Sequence, residues 1–557
     1  MIDPITLAVV RGALQEISNE MDAAFYTTAF SPIIAEGKDI ASGLYHPESG
    51  EVIAQGEQSL PLFVTVMQHT VQHVLAATRG RRELLPGDVY IVNNPYQGGT
   101  HLMDVKMVAP YFVNGKLFAL LANTGHWPDI GGAVPGGFNT SATEIYQEGL
   151  NITPVRLYRR GKLDEELLDF ILQNVRVPDA RVGDIHAQVG ALHVGAKRLD
   201  ELVKQFEPSV LTTCIDEIFL RSEAIMRGHL KEIPEGIYRY TEHIDSDGIN
   251  PDPLTIDLAM TVKSDAITLD FSGSSPPCSG PLNSVWSSTV SACHVALKHI
   301  FLDVPINAGA FRPIDIIAPH TTFLNALPPK PTSGCTAEVS QRIIDTIFGA
   351  LAQAVPDMVT AGSFSTTNNL TIGGNDDVVG PYVLYLYFGG GYGASTLGDG
   401  ISNGCSLHST ARMTPMEVYE QRYPYKVHHF RLHNASGGRG RYRGGFGIDI
   451  AMELLRGEAV MALLGDRGRF APRGLLGGAD AIGTKITIHR KNGDIFIPQH
   501  LTKGDHIRLY AGDILRVCTP GGAGYGPEAE RDPAYVEADI RANYYGPTED
   551  LAFNSTK

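Results

Sequence analysis

The stretch Gly87-Asp-Val-Tyr-Ile-Val-Asn-Asn-Pro-Tyr-Gln-Gly-Gly-Thr-His-Leu-Met-Asp104 reads as a strand over 88–92 running into a tight polar loop with two adjacent glycines. The loop delivers His101 and, three residues later, Asp104. A second strand follows over 105–112. Val113-Asn114-Gly115-Lys116 is then a two-residue hairpin signal, because Asn-Gly tolerates φ > 0 at both central positions. The return strand spans 116–122 and leads into Asn123-Thr-Gly-His-Trp127. With Asn114 and Gly115 at the turn centre, paired positions sum to about 229, so Asp104 faces Gly125 and His126 faces Met103. A one-residue bulge would instead set Asp104 directly across from His126.

Either register gathers His101, Asp104 and His126 at the open end of one hairpin. Two imidazoles and a carboxylate on one arc suit Mn²⁺, Fe²⁺ or Zn²⁺ and leave positions for water or substrate. Any one of the three, taken alone, reads as an ordinary surface or core side chain. Their convergence, flanked by Gly98-Gly99 and Gly131-Gly132, is what points to a metal. Asp39 opens another predicted hairpin and could supply a fourth oxygen; alone it reads as a turn or capping carboxylate. His69 and His73 stand at i, i+4 on a predicted helix, but no third ligand is evident near them, and packing is the preferred reading.

Outward from this hairpin the pattern is mixed. Asp3-Pro4 caps a helix over 5–25, a second helix covers 61–77, and 39–55 reads as a hairpin around His46-Pro47-Glu48-Ser49-Gly50. Residues 163–232 are mainly helical, with long amphipathic stretches at 184–206 and 209–230. From about 236 the period changes to two, interrupted by helices at 285–301 and 339–354. The last 190 residues or so carry short β segments, among them 381–388, 426–433 and 484–489, and a closing helix at 533–543. The expected class is α+β: a helix-and-hairpin region over 1–235, then a glycine-rich, β-rich region over 236–557.

Composition narrows the function classes. The 557 residues hold 45 basic and 61 acidic side chains, a formal charge of −16, with 43% hydrophobic residues, 60 glycines and 34 prolines. That is a loop-rich chain able to bury a large core. Its acidity and lack of a basic run argue against nucleic acid and anionic membranes as partners. No apolar run approaches the roughly 20 residues of a membrane span, and no signal peptide is visible, so a cytoplasmic location is expected. The six cysteines form no Cys-x-x-Cys pair and read as reduced thiols, with a lone catalytic cysteine as the alternative. Phosphate-loop and Gly-x-Ser-x-Gly signatures are missing. Gly389-Gly-Gly-Tyr-Gly393 reads as a strand-edge loop. The basic, aromatic cluster Gly437-Gly-Arg-Gly-Arg-Tyr-Arg-Gly-Gly445 reads as a structural turn or subunit contact rather than an RNA motif.

Several segments resemble the hydantoinase B/oxoprolinase family. They are Asp39-Ile-Ala-Ser, Asn94-Pro-Tyr-Gln-Gly-Gly-Thr-His-Leu-Met-Asp104, Gly125-His-Trp-Pro-Asp-Ile-Gly-Gly132, Thr143-Glu-Ile-Tyr-Gln-Glu-Gly149, Asn174-Val-Arg-Val-Pro178, Gly183-Asp-Ile-His-Ala-Gln188 and Pro305-Ile-Asn-Ala-Gly309. Ser436-Gly-Gly-Arg-Gly-Arg-Tyr-Arg-Gly-Gly445 and Thr519-Pro-Gly-Gly-Ala-Gly-Tyr-Gly526 complete the set, with Ala523 standing where the family often has glycine. The resemblance implies a metal site on His101, Asp104 and His126, with Asp39 as a fourth ligand or catalytic carboxylate. It also implies Glu148 as a base or as a group that orients a ligand. The metal would be zinc or manganese, or else iron, with the second imidazole nitrogens held by carboxylates or carbonyls.

The resemblance further implies a division of labour within a hetero-oligomer of (αβ)n type. A hydantoinase A-type partner binds ATP and magnesium and phosphorylates the oxygen of a small cyclic amide. The B-type chain then opens the ring with water activated by its metal. Activation is needed because an unstrained amide carbonyl is a poor electrophile. The leading expectation is therefore an ATP-dependent hydrolase of a hydantoin, lactam or related imide. The alternatives are a component of an acetone- or acetophenone-type carboxylase and a non-catalytic scaffold for the partner that binds ATP. The compact length favours the hydrolase, by analogy alone.

Overall fold

The computed structural model describes residues 2–546. Helix α1 (Pro4–Thr28) starts where expected: Asp3 accepts the Thr6 N–H at 2.9 Å, and Pro4 follows it. Its stripe of Leu7, Val10, Leu14, Ile17, Met21 and Phe25 is buried. That burial contributes on the order of 10 kcal/mol before chain entropy is counted. The short α2 (Pro32–Ala35) leads to the expected hairpin, β1 (Ile40–Tyr45) and β2 (Val52–Gln55). Then come α3 (Phe63–Thr78), β3 (Val89–Val92), β4 (Asp104–Val113), β5 (Lys116–His126), β6 (Val155–Arg159) and β7 (Lys162–Leu163).

These strands form one antiparallel sheet in the order β2-β1-β5-β4-β3-β6-β7. The β4–β5 hairpin therefore lies in the middle of the sheet, paired on both edges. This explains why β5 runs on to His126 rather than stopping at 122. Its far edge pairs with β1 from Tyr45↔Leu120 to Ile40↔Gly125, which gives those backbone groups partners.

Helices α4 (Glu165–Leu172), α5 (Pro178–Gln205) and α6 (Pro208–Leu230) fill the region expected to be helical. α5 starts earlier than the expected 184, at Pro178 in its first turn. Arg181 and Asp184 point inward as a buried ion pair at 2.8 Å. Asp184 also accepts the N–H groups of Phe30 and Ser31, at 2.9 and 3.0 Å, which ties α5 to the α1–α2 connection.

Next, β8 (Gly236–Ile244), β9 (Leu254–Lys263), β10 (Ala266–Asp270), α7 (Trp286–Ile300) and β11 (Ile314–Ile317) build a sheet of order β11-β10-β9-β8. Helix α8 (Ser340–Leu351) is entered through a π-helical turn, Cys335–Val339. The chain continues through β12 (Asn369–Asp376), β13 (Gly380–Leu386), α9 (Met416–Arg422), β14 (Tyr425–Leu432), β15 (Ile448–Leu454), β16 (Glu458–Leu464), β17 (Lys485–His489), β18 (Ile495–Phe496), β19 (Lys503–Tyr510) and β20 (Ile514–Cys518) to α10 (Pro533–Arg541). The sheets β13-β12-β16-β19 and β14-β15-β20-β17-β18 share one apolar core, to which Leu370, Leu384 and Met461 come from the first and Ile450, Ile486 and Val517 from the second. The class is α+β, as expected.

The glycine-rich runs interlock by backbone alone. Gly438 donates to Gly522 and Gly522 to Gly445, both at 2.9 Å. A Cβ on Gly444 would stand 1.7 Å from the Gly522 carbonyl oxygen, so only glycine permits the approach. The basic residues of that run are paired internally: Arg443 with Asp539 at 3.1 Å and Arg439 with Glu528 at 3.0 Å. All six cysteines carry free thiols. Among the described residues no helix is long and apolar enough to cross a membrane.

Candidate metal centre

The hairpin register decides the site. Val113 pairs with Lys116 and Phe112 with Leu117, as the Asn-Gly turn dictates. The register then shifts: Tyr111 pairs with Ala119, which leaves Phe118 as the extra residue of a bulge. From there the pairing carries Asp104 directly onto His126. On the other strand, the loop after β3 turns through Pro95–Gln97, where the Asn94 side chain accepts the Tyr96 N–H at 2.9 Å. Gly98 follows at φ 80°, so that His101 returns beside Asp104.

His101 Nε2 lies 3.2 Å from one Asp104 carboxylate oxygen and His126 Nδ1 lies 3.3 Å from the other. All three side chains are buried. One donor atom from each falls within 4.8 Å of the others, and among the described residues no other group of three or more His, Cys, Asp or Glu donors is so placed. Each ring also keeps a buried nitrogen without a partner, His101 Nδ1 and His126 Nε2. One nitrogen of each ring is thus held by the Asp104 carboxylate, and the other has no carboxylate or carbonyl partner. The direct pairing places Asp104 between the two rings, where its two oxygens serve both. A set of two imidazoles and one carboxylate, buried and with unspent nitrogens, fits a divalent transition metal. Burial pushes His101 down to about 3 despite the adjacent Asp104, so its ring is neutral, the form that ligates.

The surroundings hold this set in place. Thr100 donates its hydroxyl to Asp104. The buried Lys106 ammonium donates to Thr100 Oγ1 at 3.2 Å and to the Asp104 carbonyl at 2.9 Å. The Tyr385 ring stacks on His126 at 4.7 Å, and its hydroxyl donates to Asn369 Oδ1 at 2.8 Å. The Asn369 amide in turn donates to Glu338 of the π-helical turn at 3.3 Å. The cavity at the donors measures about 30 Å³. That is room for an ion and one or two waters, so a ring substrate reaches the donors only with its reacting group or by displacing a wall.

Asp39 lies beside the trio and outside its donor cluster: it lines the same cavity, and its backbone carbonyl accepts the His126 N–H at 3.1 Å. Burial raises its carboxyl well above the usual range; nearby His126 opposes the shift and Asp104 adds to it. Glu148 does not join it. Its carboxylate is turned onto the backbone N–H groups of Thr332 and Ser333, at 2.9 and 2.8 Å, and it is not among the cavity-lining residues. His69 and His73 stay apart from the trio as well, with His73 Nδ1 2.9 Å from the His69 carbonyl of its own helix.

Sequence reading missed the other half of the cavity: Thr336 and Ala337 of the π-helical turn, Thr367, Asn369, Tyr385, Tyr387 and His408. Only the alternation of Tyr385 and Tyr387 carried a signal, since i and i+2 of a strand share a face.

Residues 3–528 match the hydantoinase B/oxoprolinase family, and the chain belongs to it. Among its relatives, the beta subunit of the caprolactamase of Pseudomonas jessenii is 31% identical over 97% of this chain and 94% of that protein. The solved ATP-dependent caprolactamase from the same organism superposes with a TM-score of 0.89 at 28% identity, covering 99% of this chain and 97% of that one. The B subunit of a putative D-/L-hydantoinase of Pseudomonas sp. (strain NS671) is 30% identical over 97% of this chain and 92% of that protein. A nucleotide-free acetone carboxylase chain shares the fold, with a TM-score of 0.90 at 19% identity over 97% of this chain and 78% of that one.

Proposed function

We propose that this chain is the metal-binding B-type component of an ATP-dependent cyclic amide hydrolase. The observation that carries the reading is the register of the β4–β5 hairpin, which brings His101, Asp104 and His126 into one buried donor set in a member of this family. A divalent metal held there would supply Lewis acidity and lower the pKa of a water at neutral pH. The chain's own residues do the rest. Asp104 keeps both imidazoles aimed inward, Thr100 and Lys106 keep Asp104 in place, and Phe138 and Tyr385 wall the rings from bulk water. Asp39, which lines the same cavity, would serve as a further ligand or as a proton acceptor, a reading supported by its closeness to the donors. Phosphorylation of the amide oxygen is assigned to an A-type partner, because no phosphate loop occurs in this sequence.

The test is co-expression with an A-type partner, followed by a screen of hydantoins and lactams with ATP and, separately, of small ketones with ATP and bicarbonate. Ring-opened product that requires both proteins supports the reading. A β-keto acid formed only with bicarbonate would replace it with a carboxylase. ATP hydrolysis by the purified B-type chain alone would overturn the division of labour.

A further inference from the structure

Two polar atoms in the metal cavity are left unused by that reading. Tyr387 Oη and His408 Nδ1 are buried and have no hydrogen-bond partner, and both residues line the cavity that holds His101, Asp104 and His126. Leaving a buried polar group unpaired costs about 1–3 kcal/mol, so a ligand that pairs both atoms gains by it, and what sets these two apart from other unpaired buried groups is that their residues line the cavity of the donor set. The surrounding polar groups are already committed. Thr367 Oγ1 donates to the Ala337 carbonyl at 2.9 Å, Ser409 Oγ accepts the Ala411 N–H at 2.9 Å, and Tyr385 is bonded to Asn369.

The backbone that carries His408 is held in place. The His408 carbonyl accepts the Leu62 N–H at 3.2 Å, and the preceding residue is held on both sides: the Leu407 carbonyl lies 2.6 Å from His299 Nε2, and its N–H donates to Gln341. Tyr387 rests against the Tyr385 ring at 6.1 Å. His408, like Asp39, lies outside the three-donor cluster and lines the cavity beside it.

An amide unit presents one acceptor, its oxygen, and one donor, its N–H. A phenol hydroxyl and a neutral imidazole nitrogen are the matching donor and acceptor. We propose that Tyr387 and His408 are the substrate-contacting pair of this site, the hydroxyl donating to the amide-derived oxygen and the imidazole accepting from the ring N–H. This rests on the cyclic-amide reading above and extends it to the half of the cavity contributed by residues after 360.

The experiment loads the full-length chain with Co²⁺ and titrates acetohydroxamate, a small amide-bearing chelator, by visible absorption. Wild type, Tyr387→Phe and His408→Asn are compared, with circular dichroism to verify folding. Both variants are expected to bind one Co²⁺ with the wild-type spectrum, while the acetohydroxamate dissociation constant rises about tenfold, the effect of one lost hydrogen bond. In the assembled complex, KM for the cyclic amide should rise in parallel. Should His408→Asn misfold, Tyr387→Phe, which removes a single oxygen, still decides the question. An unchanged acetohydroxamate dissociation constant in a folded, Co²⁺-loaded Tyr387→Phe protein overturns the proposal alone. Failure of wild type to bind Co²⁺ overturns the metal reading, and this one with it.

Discussion

Asp104 stands directly across the β4–β5 pair from His126, with one carboxylate oxygen 3.3 Å from that ring and the other 3.2 Å from His101. The pairing exists because the strand gains one residue at Phe118. Without the bulge, Gly125 would face Asp104 and the ring would point to the opposite face of the sheet.

The first expectation is that the purified chain carries close to one divalent transition metal. His101→Ala and His126→Ala should each remove most of it while the circular dichroism spectrum holds, because the sheet is paired on both sides of the site. Elemental analysis of the variants provides the measurement. Full occupancy in the double variant would sink the assignment.

Gly98 gives a sharper test of loop placement. It sits at φ 80°, and a Cβ there would lie 2.3 Å from the carbonyl carbon of His69. Gly98→Ala should push the Pro95–Asp104 loop off α3 and lower metal affinity at least tenfold, read by calorimetric titration. Gly80 has a similar φ of 71° but open space around it. Gly80→Ala therefore bears the same backbone strain and should leave metal affinity unchanged.

Asp22 should govern part of the pH dependence of stability. It is 1% exposed, and burial raises its carboxyl to about 7, with the Ser59 hydroxyl, 2.6 Å away, partly offsetting the shift. Because the folded pKa lies above the unfolded one, its contribution is fully present below about 4 and is lost as pH rises through 7. A shift of that size corresponds to a few kcal/mol. Asp22→Asn keeps the shape without the titration. It should flatten the fall of melting temperature between about pH 4 and 7 and make the variant the more stable protein at pH 8. Parallel melting curves for the two proteins in that window would remove Asp22 as the cause.

What could be read from the sequence was local. The Asn114-Gly115 turn, the Asp3-Pro4 cap and the spacing of His101 and Asp104 are short-range signals, and the structure keeps all three. The position of the bulge was not legible, since nothing in Tyr111-Phe-Val-Asn-Gly-Lys-Leu-Phe118 separates a paired aromatic from an extra one. The length of β5 was missed because its last residues are fixed by pairing with β1, a contact set by tertiary assembly. His408 and Tyr387 reach the cavity from about 300 residues away along the chain, so no spacing rule connects them to His101. Glu148 illustrates the opposite case: a motif residue whose carboxylate spends itself on two backbone N–H groups.

The last prediction separates phosphorylation from ring opening. Asp104→Ala removes the carboxylate that lies between His101 and His126, so the donor set loses both a ligand and its alignment. It also strips the partner from Thr100 and removes the negative charge that favours the charged form of the buried Lys106, so some loss of stability is expected. Metal analysis and a melting curve therefore come first, and the Asp104→Asn variant, which keeps the side-chain volume, is run beside it. Under the proposed division of labour ATP is bound by the partner, so phosphate release should persist in the assembled complex while ring-opened product falls at least a hundredfold. Phosphate and product are measured in the same reaction. Equal loss of both would mean that the donor set is needed to assemble the complex or to admit substrate, and coupled ring opening at the wild-type rate would exclude Asp104 from the metal site.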